Sequence, residues 1–314
     1  MPPKILVISG PTASGKTKLA VALAKARGGE VVSADSMQVY RRMDIGTAKP
    51  TVEEMDGIPH HMIDVADPGE DFSAARYVEM ASACVDEILA RSRLPIVAGG
   101  TGLYIDSLLS GRTFAAFSPD SPLRGELEAE LARLGGAAML AQLAQVDPET
   151  AARLHPNDHK RIVRALEVFR STGRTISQHD RETRALPPRY DALTIGLTFR
   201  ERADLWARID QRVDQMARDG LEAEVRGLLS SGLPRTCTAM QAIGYKEFVA
   251  AVDGQMSWKE AEELVKLRSR QYAKRQLTWF RRRAETRWIT WEKEPDFGIA
   301  RRCSTEFIRE AGLG

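Results

Sequence analysis

The chain opens on an unbroken apolar run, Ile5-Leu6-Val7-Ile8, the pattern of a strand covered on both faces. A Gly-rich turn follows, then an Ala/Leu/Lys stretch from Lys16 to Arg27 that predicts a helix and stops at Gly28-Gly29. Glu30 to Ala34 reads as a second strand and His61 to Val65 as a short one. Between Arg76 and Ser92, Tyr77, Met80, Cys84 and Ile88 recur at helical spacing. Leu94 to Ala98 is again a buried-strand pattern, closing at Gly99-Gly100. Strand, helix, strand, helix, strand predicts a parallel α/β sheet flanked by helices.

That rhythm stops near Arg112. From about Pro122 to Arg184 the pattern is helical and strand-free, with Leu123, Leu127, Leu131 and Leu134 along one face. Tyr190 to Phe199 resumes an apolar strand. Two helical stretches follow, about 201–231 and 257–283, before a late strand at Trp288 to Trp291. The economical reading is a core formed by 1–114 and 190–314, with a helical insertion domain at 115–189.

Composition narrows this only slightly. A chain of 314 residues, 43% apolar and 28% charged, fits a soluble globular protein with one main domain and a smaller one. The net charge of +2 excludes no partner, so the placement of charge matters more. Cys84, Cys237 and Cys303 are far apart and odd in number, which fits a reducing compartment. No pair of the cysteines has zinc-ligand spacing, and the five histidines do not complete a set. The opening apolar run is too short for a secretory signal, and no apolar run is long enough for a membrane helix. A cytoplasmic protein without membrane contact is expected, as a monomer.

The strongest chemical signal is Gly10-Pro11-Thr12-Ala13-Ser14-Gly15-Lys16-Thr17, a G-x-x-x-x-G-K-[ST] phosphate loop between a buried strand and a helix. Its amides form an anion nest, the helix N-terminus and Lys16 add positive charge, and the Thr17 hydroxyl suits Mg²⁺. The loop by itself implies only a bound di- or triphosphate. Asp35 follows the second strand and lands in the same crevice. It is read as a general base, a metal-side carboxylate or the cap of the next turn. Thr101, within Gly99-Gly100-Thr101-Gly102, presents a hydroxyl there, and the glycines suggest close approach to a ligand. Lys49, in the 43–50 loop, is a candidate phosphate or substrate contact.

The 257–283 stretch begins with Ser257 and Glu260 in capping-box spacing. Arg268, Arg270, Lys274, Arg275, Arg281 and Arg282 then fall on about half of the helix circumference. A one-signed face of this kind favours nucleic acid over simple solvation. Lys160 and Arg164 lie one turn apart in the insertion. A small-molecule kinase explains the phosphate loop and a mobile insertion, but neither Thr101 nor the basic helix. A phosphate-loop enzyme acting on free AMP has no need of the basic surfaces.

DSMQVYRRMDIGTAKP (35–50), GIPHHMIDV (57–65), AGGTGLYIDSLLSG (98–111), AIGYKE (242–247) and RQYAKRQLTWFR (270–281), behind GPTASGKT, resemble the bacterial tRNA dimethylallyltransferases, also called tRNA isopentenyltransferases. The resemblance runs through nearly the whole chain in order and spacing, with Arg42 standing where Gly is expected. It implies transfer of a dimethylallyl group from dimethylallyl diphosphate to N6 of the adenosine just 3′ of the anticodon, in tRNAs reading codons that begin with U. It assigns Asp35 as base, Thr101 near the diphosphate oxygen, and the phosphate loop with Mg²⁺ and Arg218 on the diphosphate. It also implies that residues 35–38 (Asp35, Ser36, Met37, Gln38) contact the target base. The insertion, with Lys160, Arg161, Ile162, Val163 and Arg164, would grip the anticodon stem, and Arg124 would support the flipped-out loop.

Overall fold

The computed structural model describes residues 2–111 and 122–313, apart from the side chain of Arg184. The expected boundary between 114 and 115 lies outside the described residues. Residues Met1–Leu109 and Arg189–Gly314 form one compact unit and Ser110–Pro188 a second.

The first unit is built on strands Lys4–Ser9 (β1), Glu30–Ser33 (β2), His60–His61 (β3), Pro95–Gly99 (β4), Asp191–Phe199 (β5) and Arg287–Trp291 (β6). They form a single sheet in the order β3-β2-β4-β1-β5-β6, every pair parallel. Alternation along β1 explains its unbroken apolar run. Ile5 and Val7 enter the apolar cluster on one face, Leu6 and Ile8 the cluster on the other.

Several elements differ from the sequence pattern. The strand expected at His61–Val65 reduces to His60 and His61, because Met62 (φ 63°) and Asp64 (φ 57°) turn the backbone into the left-handed region. Asp64 faces away to accept Lys49 Nζ at 2.6 Å. The 201–231 stretch is two helices, Arg202–Arg218 and Leu221–Ser230, parted at Gly220. Helices Gly102–Ser110, Tyr245–Val252 and Phe297–Glu310 add to those read from the pattern. The 257–283 stretch forms the helix Trp258–Phe280, and Ser257 and Glu260 make the reciprocal capping box. Arg281 caps its end, so Arg281 and Arg282 follow the helix instead of extending its face.

The second unit is helical over its described residues, chiefly Pro122–Val146, His159–Thr172 and Ile176–Ala185. Leu127, Met139, Leu143, Ile162 and Leu166 form its core. Leu134 does not join them: the helical backbone breaks at Gly135 (φ 78°), and Leu134 stays exposed. No helix among the described residues is long and apolar enough to cross a membrane.

Candidate active site

Strands β2, β4 and β1 are consecutive neighbours. Their C-terminal loops therefore emerge side by side, within about 10 Å at ordinary strand spacing. Those loops carry Asp35, Thr101 and the phosphate loop.

The phosphate loop is shaped by Ala13 (φ 62°) and Gly15 (φ 87°) and held through its carbonyls. Lys16 Nζ donates to the Pro11 carbonyl at 2.7 Å, Arg208 Nε to that of Ala13 at 3.2 Å, and Trp291 Nε1 to that of Ser14 at 3.0 Å. The first amides of the Lys16–Arg27 helix have no intrahelical acceptor and supply the anion nest. Arg212 reaches Thr12 Oγ1 and the Ala48 carbonyl, each at 3.4 Å. Burial, with Arg212 beside it, brings the Lys16 ammonium down to about 7, and the Asp35 charge opposes the shift. Burial lowers the Arg212 guanidinium as well, again against Asp35. The cations Lys16, Arg212 and Arg208 thus crowd one site and repel one another. A bound polyanion relieves that repulsion.

Arg218 is not part of this group. It is exposed and donates to Gln215 Oε1 at 3.3 and 2.7 Å. It lies six residues beyond Arg212, about 240° around the helix. Arg208 and Arg212, four residues apart, are the arginines this helix gives to the loop. The sequence offers a signal for them: both flank the buried stripe Leu205, Ile209, Val213.

Asp35 is half-buried and caps the following turn through one oxygen. Oδ1 accepts the amides of Met37 at 2.9 Å and Gln38 at 3.4 Å, and Oδ2 takes part in neither bond. The cap reading and an acceptor role are therefore compatible, one on each oxygen. Thr101 Oγ1 accepts the Ser36 amide at 3.0 Å and donates to Ser36 Oγ at 3.3 Å. Gln38 is spent on loop structure: Nε2 donates to the carbonyls of Thr47 at 3.3 Å and Ala48 at 3.1 Å, and Oε1 accepts Ser33 Oγ at 3.1 Å. Met37 packs partly buried against the core.

The 43–50 loop is fastened, not free. Glu224 accepts the amides of Asp44, Ile45 and Gly46 at 2.9, 2.8 and 3.1 Å and the Tyr245 hydroxyl at 2.5 Å. Lys49 is bound by Asp44, by Asp64 and by the Tyr40 carbonyl at 2.9 Å, so it is committed within the fold and unsuited to a phosphate. Arg42 holds φ 62°, the left-handed conformation that glycine takes without strain.

The glycines around Thr101 serve protein packing instead of a ligand. A Cβ at Gly100 would lie 2.2 Å from Gln276 Nε2, and one at Gly102 would lie 2.3 Å from Trp279 Cδ1. Gln276 and Tyr272, which lie in the 270–281 motif but carry no role in the sequence analysis, enter the site from the Trp258–Phe280 helix. Gln276 bonds the Thr12 amide and the Gly100 carbonyl, each at 2.9 Å. Tyr272 meets Thr101 and Gln276, and burial followed by the Asp35 charge pushes its hydroxyl up to about 12. It remains a proton donor at neutral pH.

The basic surfaces divide. Arg268, Lys274, Arg275, Arg281 and Arg282 are exposed, with Arg275 over Tyr272 and Arg282 over Trp279. Arg270 is not available to a phosphate, since Nη1 holds both oxygens of Asp210 at 3.0 and 2.7 Å. In the second unit, Lys160 and Arg161 are exposed, but Ile162 and Val163 are core residues, 0% and 2% exposed. Arg164 and Arg124 converge on buried Glu167 at 2.8 and 3.4 Å, which gives them a structural role there. Among the described residues no cluster of three His, Cys, Asp or Glu forms a metal cage, and the three cysteines are free.

A family described as IPP transferase matches residues 38–283. A tRNA dimethylallyltransferase of Geobacter sulfurreducens is 51% identical over 288 residues, 91% of each chain. One from Halalkalibacterium halodurans is 48% identical over 289 residues, covering 92% of this chain and 91% of that one. The solved tRNA isopentenylpyrophosphate transferase of Bacillus halodurans superposes with a TM-score of 0.72 at 43% identity, over 99% of this chain and 98% of that one. A eukaryotic dimethylallyltransferase solved acting on tRNA gives 0.82 at 28% identity, over 98% and 80%. The chain belongs to the IPP transferase family, whose curated members named here are tRNA dimethylallyltransferases.

Proposed function

We propose that this enzyme transfers a dimethylallyl group from dimethylallyl diphosphate to N6 of the adenosine immediately 3′ of the anticodon, in tRNAs reading codons that begin with U. The observation that carries the reading is the alignment of an anion nest, Asp35 and Thr101 on three adjacent strands, in a chain of this family. The N6 amine attacks C1 of the allyl group as the bond from C1 to the diphosphate oxygen breaks. The electron pair leaves with diphosphate, and the N6 proton passes to the Asp35 carboxylate. The exocyclic amine of adenine is scarcely basic, so a carboxylate taking its proton contributes roughly 10²–10⁴-fold. The amides of the phosphate loop, Lys16, Arg208 and Arg212 take up the leaving charge, and the Thr101 hydroxyl serves the bridging oxygen.

The donor set also suits Mg²⁺. Thr17 would offer a hard hydroxyl oxygen to an ion that arrives on substrate phosphates, and among the described residues no full protein cage competes with that arrangement. When bound, Mg²⁺ supplies charge neutralisation at the diphosphate. The adenosine must leave its stack to be reached. Arg268, Lys274, Arg275, Arg281 and Arg282 in one unit, and Lys160 and Arg161 in the other, are the exposed cations suited to tRNA phosphates. The protein works in the cytoplasm as a monomer.

Labelled dimethylallyl diphosphate, Mg²⁺ and unmodified tRNA test this, with free AMP and ATP plus AMP as parallel acceptor and kinase assays. Label in tRNA is the expected outcome. Label in AMP alone moves the function to small-molecule prenyl transfer, and phosphate transfer without prenylation leaves a kinase.

A further inference from the structure

Gln276 is 5% exposed, and its side chain is spent on two backbones that emerge from different strands. Oε1 accepts the Thr12 amide at 2.9 Å and Nε2 donates to the Gly100 carbonyl at 2.9 Å. These partners fix the orientation of the amide, because an N–H only donates and a carbonyl only accepts. The contact leaves no room beneath it: a Cβ at Gly100 would meet Nε2, and one at Gly102 would meet Trp279. Tyr272, one turn earlier on the same helix, touches both Gln276 and Thr101.

β1 and β4 are paired through Ser9 and Gly99. Beyond those residues the ladder stops, yet the chemistry happens there. Gln276 supplies the missing cross-link. On the function proposed above, we infer that Gln276 is a positioning residue: it ties the phosphate loop to the Thr101 turn and so sets the diphosphate against Thr101. The Thr101 bond to the Ser36 amide carries the same constraint to the Asp35 turn. Gln276 touches no reacting atom on this account. A misplacement of about 1 Å at such a site costs on the order of 10²-fold in rate.

Two variants separate positioning from packing. Gln276→Met keeps the volume and loses both bonds. Gln276→Glu keeps the acceptor for Thr12 but, when ionised, turns an oxygen towards the Gly100 carbonyl. Both are expected to fold, with kcat lowered about 10- to 100-fold. KM for dimethylallyl diphosphate should rise about fivefold or more as the loop loses its anchor. KM for tRNA should stay within about twofold, because the exposed cations are untouched. As pH falls, the carboxyl of Gln276→Glu regains a donor, so its rate relative to wild type should recover, whereas Gln276→Met should not. Inorganic diphosphate binding by calorimetry serves as a readout independent of tRNA. If wild type fails to prenylate tRNA, the functional reading falls, while weaker diphosphate binding by Gln276→Met still supports the clamp. Unchanged kinetics and diphosphate affinity in folded variants overturn it. So does a loss of tRNA affinity in step with lowered Tm, or the absence of acid recovery.

Discussion

The Thr101 hydroxyl accepts the backbone amide of Ser36 at 3.0 Å, joining the turn that follows β4 to the turn that follows β2. Thr101 is therefore part of the frame that holds Asp35, and on the proposed function its hydroxyl would also turn to serve the diphosphate. Asp35 has a matching division, with Oδ1 on the Met37 and Gln38 amides and Oδ2 outside both bonds.

That division makes Asp35→Asn informative. The amide oxygen can still accept from Met37 and Gln38, so the turn should survive, while proton acceptance is lost. We expect kcat to fall about 10²–10⁴-fold, with the affinity for dimethylallyl diphosphate nearly unchanged. Steady-state kinetics on both substrates measure this. A rate within a few fold of wild type would make Asp35 only a cap.

Lys16 should give diphosphate binding a pH limb. Its ammonium sits at about 7 in the free protein, lowered by burial and by Arg212. A bound diphosphate favours the charged form, so affinity should weaken above pH 7 by up to about tenfold per pH unit. Lys16→Arg should remove this limb. The stability consequence has the opposite sense. A lysine lowered on folding binds fewer protons in the native state, so stability rises with pH between about 7 and the ordinary lysine value and is least favourable below 7. Lys16→Met should accordingly be inactive yet no less stable than wild type at pH 6.5 in thermal unfolding.

The arginines of the Arg202–Arg218 helix should separate cleanly. Arg212→Ala, and to a smaller degree Arg208→Ala, should raise KM for dimethylallyl diphosphate by about 10-fold or more through loss of a charge-assisted contact. Arg218→Ala should change it by less than about twofold, as for an exposed side chain bonded to its own helix.

Salt dependence should distinguish the exposed cations from the paired one. Arg275→Ala is expected to reduce the slope of log affinity for tRNA against log salt by roughly one. Arg270→Ala should leave the slope largely intact and lower the melting temperature instead, because Asp210 loses its partner. Titrations over a range of salt concentrations, with thermal unfolding alongside, report both.

Arg42 holds a left-handed φ of 62°. Arg42→Gly should raise stability by about 1 kcal/mol, the strain of a non-glycine residue in that region, partly offset by unfolded-chain entropy. Denaturant unfolding measures it, and a loss of stability would mean that the Arg42 side chain contributes more than its backbone costs.

What the sequence reveals here follows from how local the signal is. The phosphate loop, its strand and its helix are written within residues 5–27, and the positions of Asp35 and Thr101 follow from strand ends. Arg208, Arg212, Tyr272, Gln276 and Trp291 reach the site from distant segments, and only the packing of helices on the sheet brings them there. The same packing reverses some expectations. The glycines at 100 and 102 make room for Gln276 and Trp279, and Lys49, Arg270 and Arg124 are held by carboxylates from other segments that periodicity cannot locate, whereas Arg164 meets Glu167 one turn along its own helix.

Locating the transferred label tests directly whether the enzyme prenylates tRNA at the adenosine 3′ of the anticodon. Unmodified tRNA is treated with the enzyme, labelled dimethylallyl diphosphate and Mg²⁺, then digested and its nucleosides separated. Label is expected on the single adenosine 3′ of the anticodon, and none when that position carries a nucleoside without an exocyclic N6 amine. Label elsewhere in the tRNA, or undiminished transfer to the substituted tRNA, would contradict it.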